Sequence, residues 1–212
     1  MAGNTKVIDI GPVTRIEGHL EFKIEVGEGQ VQDAYASGAL FRGFELILKG
    51  RDPMDALLLT PRICGVCPTS HSLAATHALD DAYRAEVPPN AHLMRSILLG
   101  TENTMSHATH FYALFGPDLA NPKYAGHPAY PELERRFAAL AGTSYLAAVK
   151  TRVKLDEVFA IFGGQHPHSN VFVPGGVTFV PRIHDITRAF TILLDVQDFV
   201  EGTILGGSVD RW

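Results

Sequence analysis

The sequence is short of cysteine, of tryptophan and of long apolar runs, and each shortage excludes a class of protein. Its 212 residues include two cysteines and one tryptophan. Two cysteines are too few for the disulfide framework of a small secreted domain. No apolar run reaches the roughly 18 residues of a bilayer-spanning helix, and Met1–Asp9 lacks the pattern of a signal peptide. We therefore expect any contact with a membrane to run through a partner.

Charge and composition narrow the choice further. The net charge is −5 at pH 7, with 46% hydrophobic and 19% charged residues. A negative chain without a basic run is a poor ligand for nucleic acid, so we expect no nucleic-acid partner. The hydrophobic content is enough for a sizeable buried core and excludes disordered, collagen-like and coiled-coil chains.

The hydrophobic pattern changes from strand to helix near residue 40. Residues 20–26 alternate apolar and charged, a turn follows at 27–30, and 31–39 resembles a second strand, which predicts an antiparallel hairpin. Beyond Phe41 the pattern is helical, with predicted helices over about 42–49, 53–60, 68–86, 97–115, 131–162 and 183–204; an interruption of the fifth at Gly142 stays open. We predict an α+β, mainly α fold, with an N-terminal β-hairpin element (1–40) and a long-helix bundle (41–212).

The strongest local signal is a pair of cysteines at the start of a predicted helix. Cys64 and Cys67 stand three residues apart, directly before Pro68, and His71 follows one helical turn later. The positive end of the helix and the nearby Arg62 favour the thiolate form of both cysteines. Thiolates are ligands for soft metals such as zinc, nickel, iron and copper(I).

The spacing by itself leaves several functions open. The cysteines could be ordinary core residues, or half of a zinc site completed by His71 or His77. They could also form a thioredoxin-like redox pair, which would place the motif after a strand in an alternating α/β pattern.

Other segments, taken together in chain order, resemble the large subunit of nickel–iron hydrogenases. The opening signature Arg-x-Glu-Gly lies at 15–18, and Arg-x-Cys-Gly-x-Cys-x-x-x-His is matched at every fixed position of 62–71. Further similar segments are Phe41–Glu45, His107–Tyr112 and Gly163–His168. The resemblance runs from about residue 6 to the end of the sequence.

The resemblance implies a bimetallic centre and a redox reaction. Cys64 would be a terminal thiolate on nickel, and Cys67 would bridge nickel and iron. The iron would carry carbon monoxide and cyanide ligands. The reaction would be the reversible heterolytic cleavage of H2 to protons and electrons, with the electrons passing to iron–sulfur clusters in a small subunit.

Four further residues acquire roles from the same resemblance. Glu17 would relay protons, as a carboxyl with a raised pKa can, although a surface carboxylate in a turn is the ordinary alternative. Glu45 would bind a structural magnesium ion, or else pair with Lys49 one helical turn away. His71 would donate to a metal thiolate and Arg62 would face the anionic centre. Direct ligation by His71 would instead favour zinc.

The sequence departs from the family in one respect. The family holds its metals with four cysteines, and the second Cys-x-x-Cys is absent because Cys64 and Cys67 are the only two. We therefore expect the N-terminal half of a large subunit, an incomplete domain that associates with the C-terminal remainder and with the small subunit; a divergent, inactive relative is the other option. A zinc-stabilised helical interaction module is the alternative function. The sequence does not indicate the compartment, either cytoplasmic or exported with the small subunit.

Overall fold

The computed structural model describes residues 5–211 and separates the chain into two compact units, Met1–Gly43 and Phe44–Trp212. Residues 1–4 and Trp212, the outer ends of the two predicted domains, lie outside the described residues. A small antiparallel sheet is followed by helices, so the predicted α+β, mainly α fold is confirmed. The division into domains at residue 40, and the incompleteness of the second, stay predictions.

The N-terminal unit is a three-stranded antiparallel sheet in the order β1-β2-β3. The strands are β1 (Lys6–Ile10), β2 (Leu20–Gly27) and β3 (Gln30–Gly38). Gly27 pairs with Gln30 across a two-residue turn in which Glu28 and Gly29 both have positive φ, 54° and 79°. Such a turn matches the twist of paired strands, which explains why the predicted hairpin forms here.

The second unit contains eight α-helices within the described residues. They are α1 (Phe44–Leu48), α2 (Ala56–Leu59), α3 (Pro68–Tyr83), α4 (Pro89–Thr109), α5 (Gly116–Leu119), α6 (Tyr130–Phe137), α7 (Thr143–Gly163) and α8 (Ile183–Phe199). Helices α4 and α8 continue as π-helical turns over His110–Phe115 and Val200–Leu205. None of the helices in residues 5–211 is both long and apolar enough to cross a membrane.

Proline and aspartate set several of the helix starts. Asp52 accepts the N–H of Met54 at 2.8 Å and begins a 3-10 turn at Pro53 that leads into α2. Pro68 and Pro89 are the first residues of α3 and α4, a position where the missing N–H of proline costs nothing.

The helix predicted over 131–162 is interrupted at Gly142, where the sequence left a break open, and forms α6 and α7. Between them Ala138 is extended (ψ 129°) and Leu140 has a positive φ of 62°. The chain passes so close to the end of α6 that a Cβ on Gly142 would lie 2.4 Å from the carbonyl oxygen of Arg136. Only glycine allows this approach, so Gly142 permits the tight connection.

A short hairpin lies inside the segment predicted as a loop, 163–181. Its strands β4 (Phe172–Val173) and β5 (Gly176–Val177) pair antiparallel. Phe172 is buried, and the hairpin contacts both α3 and α4. Two-residue strands are too short to produce a visible alternation, which is why the sequence gives no sign of them.

The main core lies where α4 and α8 pack on α7. Its fully buried members include Leu98, Met105, Leu155, Val158 and Phe159. A smaller cluster lies near α6 and contains Ala108, Tyr112, Phe137, Ala148 and Phe199. Helix α3 packs on α4, and its first residue, Pro68, directly follows Cys67.

Candidate metal centre

Cys64 and Cys67 lie in a short bend between two helical elements. A 3-10 turn, Thr60–Ile63, ends at Cys64, and α3 begins directly after Cys67. Both cysteines are half-buried and neither forms a disulfide. Because buried prolines, Pro61 and Pro68, stand on either side of the bend, its backbone has little freedom.

The backbone of this bend donates hydrogen bonds to the first cysteine. The Sγ atom of Cys64 accepts the N–H of Val66 at 3.3 Å and the N–H of Cys67 at 3.2 Å. Both N–H groups point at the Cys64 sulfur, so they fix its direction within the bend. A thiolate held by its own loop is well suited to bind a soft metal ion.

Cys67 is the N-cap residue of α3, but its side chain does not cap the helix. The capping is done from another helix by Glu102 of α4, whose carboxylate accepts the N–H groups of Thr69 at 2.7 Å and Ser70 at 2.8 Å. Glu102 is 1% exposed. Glu102 was not predicted as a site residue; the only signal for it in the sequence is a glutamate beside Thr101 and Met105 on an apolar helix face.

His71 and Arg62 flank the two cysteines. The His71 N–H lies 3.4 Å from the carbonyl oxygen of Cys67, and its own carbonyl accepts the Thr60 hydroxyl at 3.2 Å. The first turn of α3 is thereby tied to the preceding 3-10 turn. The His71 side chain is half-buried, and Arg62 is exposed in the 3-10 turn. Both residues are close to the cysteines in the chain: Arg62 is two residues before Cys64, and His71 is four residues after Cys67.

Glu17 and Glu45 are both exposed carboxylates in the structure. Glu17 lies in the loop between β1 and β2, which is closed by a 2.8 Å hydrogen bond from the N–H of Val13 to Leu20 and bends at Gly18 with φ 88°. Glu45 lies in the first turn of α1. Their roles in proton transfer and magnesium binding stay predictions.

The described residues do not assemble a complete metal site. Across 5–211 there is no group of three or more His, Cys, Asp and Glu side chains placed to hold a metal ion. A zinc site made from both cysteines with His71 or His77 is therefore not formed in this part of the chain. The bend also follows a 3-10 turn rather than a strand, unlike the context expected for a thioredoxin-like pair. Two sulfur donors in a rigid loop fit a centre whose other ligands come from elsewhere.

A buried histidine lies on the segment Gly163–His168, which contributes to the family resemblance. His166 Nδ1 is 2.9 Å from Asp156 of α7, and the imidazole stacks on Phe159 with ring centroids 4.4 Å apart. Burial lowers the pKa of His166, although the carboxylate of Asp156 acts in the opposite direction. The His166 side chain therefore lies between the Asp156 carboxylate and the Phe159 ring.

Comparison with known proteins defines the class. Residues 42–123 and 119–206 match the family described as nickel-dependent hydrogenase, and residues 7–37 match a HoxL-like family. The chain therefore belongs to the nickel-dependent hydrogenase family. The matched region includes Cys64 and Cys67, so the resemblance found in the sequence is confirmed.

Individual relatives are hydrogenase large subunits. The chain is 39% identical over 207 residues to the periplasmic NiFeSe hydrogenase large subunit of Desulfomicrobium baculatum, covering 91% of this chain and 40% of that protein. It is 34% identical over 220 residues to the hydrogenase-2 large chain of Escherichia coli strain K12, covering 80% and 39%.

The solved structures agree with the sequence relatives. The reduced NiFeSe hydrogenase of D. vulgaris Hildenborough superposes with a TM-score of 0.74 at 39% identity, covering 94% of this chain and 43% of that chain. An H2-activated NiFeSe hydrogenase of Dm. baculatum gives 0.76 at 36% identity, covering 93% and 43%. The chain thus spans about two fifths of the length of these relatives.

Proposed function

We propose that this chain is the part of a nickel–iron hydrogenase large subunit that supplies half of the metal ligands. In the complete enzyme it contributes to the reversible cleavage of H2 to protons and electrons. The observation that carries the proposal is the bend at Cys64, whose Sγ accepts two backbone N–H groups, within a region that matches the family. The large-subunit relatives support it.

The two cysteines hold the centre from one side. Cys64 would be a thiolate ligand of nickel, and Cys67 would be a thiolate ligand shared by nickel and iron; the remaining thiolates and the carbon monoxide and cyanide ligands of iron would come from outside this chain. When bound, the nickel–iron centre supplies the redox chemistry of H2. The N–H groups of Val66 and Cys67 polarise the Cys64 sulfur and fix its direction.

The other predicted site residues each have a role in the proposal. His71 donates toward a thiolate and so limits its orientation, while the Arg62 guanidinium offsets the negative charge of the sulfurs. Glu17 accepts a proton and passes it to solvent, a task for which a carboxyl oxygen on an exposed loop is suited. Glu45 supplies a hard oxygen ligand for magnesium.

Two partners complete the protein in this proposal. The C-terminal remainder of the large subunit brings the second cysteine pair, and an iron–sulfur small subunit takes the electrons. The exposed apolar side chains of the second unit support association. Val180, Ile183 and Phe190 are 84%, 79% and 62% exposed, which is unusual for residues of their kind in a self-contained bundle.

Metal analysis with infrared spectroscopy tests the function. The protein is purified from its host with whatever subunits accompany it, and nickel, iron and zinc are measured together with H2 turnover. Nickel and iron in similar amounts, infrared bands of cyanide and carbon monoxide, and H2 turnover are expected. Stoichiometric zinc without nickel would contradict the proposal and favour the zinc-stabilised interaction module.

A further inference from the structure

The first turn of α3 is fastened to α4 by a single buried carboxylate. Glu102 accepts three hydrogen bonds, from the N–H of Thr69 at 2.7 Å, the N–H of Ser70 at 2.8 Å and the hydroxyl of Ser70 at 2.5 Å. These bonds link residues more than thirty positions apart in the chain. The carboxylate, 1% exposed, has three donors and no access to bulk water.

These bonds take the place of an ordinary N-cap. The first N–H groups of a helix have no partner within the helix and are usually satisfied by a side chain at the N-cap. Here the N-cap is Cys67, which makes no side-chain capping bond, and Pro68 has no N–H to satisfy. Glu102 therefore satisfies the N–H groups that the N-cap would normally serve.

The charge of Glu102 acts on the same turn. A carboxylate at a helix N-terminus offsets the positive end of the helix. That positive end would otherwise withdraw electron density from a thiolate at Cys67. The buried carboxylate makes the surroundings more negative, so a thiolate there is a stronger electron donor to a metal.

We infer that Glu102 is a positioning residue for the metal centre of the proposed function. It fixes the turn after Cys67 so that the cysteine serves as a ligand rather than as a helix cap, and its charge raises the electron density of the thiolates. It does not itself touch the metals. The inference rests on the proposed function for its metal part, and on the three hydrogen bonds for its positioning part.

The test compares Glu102→Gln with Ser70→Ala in the protein purified from its host. In Glu102→Gln the amide can accept only through one oxygen and presents a donor to one of the N–H groups. Amide exchange of the segment 65–72 is expected to speed up about tenfold or more, because hydrogen bonds to a charged group are lost. Nickel content is expected to fall.

The effect of the Glu102 charge is measured separately, by infrared spectroscopy. In Glu102→Gln the carbon monoxide band of the iron is expected to shift to higher frequency, because weaker thiolate donors leave less electron density on the metal. Ser70→Ala removes one hydrogen bond and keeps the charge, so it should loosen the turn slightly without shifting the band. A purely structural role would not produce this difference.

Asp80→Asn is the matched control, since Asp80 is a second buried carboxylate that accepts a backbone N–H, at the other end of α3. It should lower thermal stability and speed exchange in α3 and α4 as a whole, with no selective effect on 65–72 and no shift of the band. Wild-type exchange and band position in Glu102→Gln would overturn the inference. If the wild-type protein itself contains no nickel, the proposed function is refuted instead. The amide exchange rates of Glu102→Gln then decide the positioning role alone, and unchanged rates overturn it.

Discussion

Arg95 of α4 and Asp80 in the last turn of α3 form a buried ion pair with a nitrogen–oxygen distance of 2.6 Å. Arg95 also donates to the carbonyl oxygens of Val173 and Gly176, and Asp80 accepts the N–H of Gly175 at 2.7 Å. The pair therefore joins α3, α4 and the β4–β5 hairpin. Glu102 binds the first turn of α3, and Arg95 binds its last turn, so α3 is attached to α4 at both ends.

Removing one member of this pair is expected to destabilise the protein strongly. Asp80→Asn leaves the Arg95 guanidinium buried without its counter-charge, which costs about 3–5 kcal/mol in comparable pairs. Urea denaturation followed by circular dichroism measures the change in unfolding free energy. Glu132→Gln, which breaks an exposed pair with Arg135, is the control and should leave the midpoint close to that of the wild type. Equal midpoints for both variants would contradict the prediction.

The Asp80 carboxylate is expected to make the free energy of unfolding depend on pH in the acid range. Burial alone would raise the pKa of Asp80, but the hydrogen bonds from Arg95 and Gly175 and the charge of Arg95 hold it below its ordinary value. As the pH falls below about 4, Asp80 is therefore protonated in the unfolded chain before it is protonated in the folded protein. The stability that Asp80 contributes is present above that pH and is lost as the pH falls through its folded pKa. In Asp80→Asn the acid decline of the unfolding free energy should be shallower; an identical decline would argue against this carboxylate.

Cys67→Ser should remove nickel and abolish H2 turnover. A hydroxyl is a hard, protonated group at neutral pH and replaces a thiolate poorly as a ligand of a soft metal. Nickel per protein is measured by mass spectrometry of the purified protein. Thr187→Ser, at an exposed position of α8, should retain wild-type nickel. Full nickel and turnover in Cys67→Ser would remove Cys67 from the proposed ligand set.

Glu17→Gln should keep the metals and block proton transfer. The amide has nearly the same shape but cannot accept and release a proton at neutral pH. Exchange of deuterium between D2 gas and water measures this step, alongside nickel content. Glu28→Gln, an exposed glutamate in the β2–β3 turn, is the control and should exchange at the wild-type rate. Normal exchange in Glu17→Gln would exclude Glu17 as the relay.

Local sequence signals predicted the elements that local interactions create. The alternation in residues 20–26 and the proline at Pro68 mark a strand and a helix start in the structure. The helix predicted over 97–115 in fact begins earlier, at Pro89. The cysteine pair likewise lies directly before α3, where the sequence predicted the start of a helix.

Features that depend on distant contacts were not predictable in the same way. Glu102 binds Ser70 from 32 positions away, and Arg95 binds Gly176 from 81 positions away. A single sequence shows a charge on an apolar helix face but not its partner. The sequence marked Gly142 as a possible end of a helix, but not the close approach of this residue to the backbone of Arg136, which periodicity cannot reveal.

The central claim is that Cys64 and Cys67 bind a nickel-containing centre. An experimental structure of the assembled protein, with X-ray data recorded on both sides of the nickel and zinc absorption edges, tests it most directly. The account predicts an anomalous peak at the nickel edge within bonding distance of both Sγ atoms, with iron beside it next to Cys67. A peak at the zinc edge alone, or no metal at either sulfur, would contradict the account.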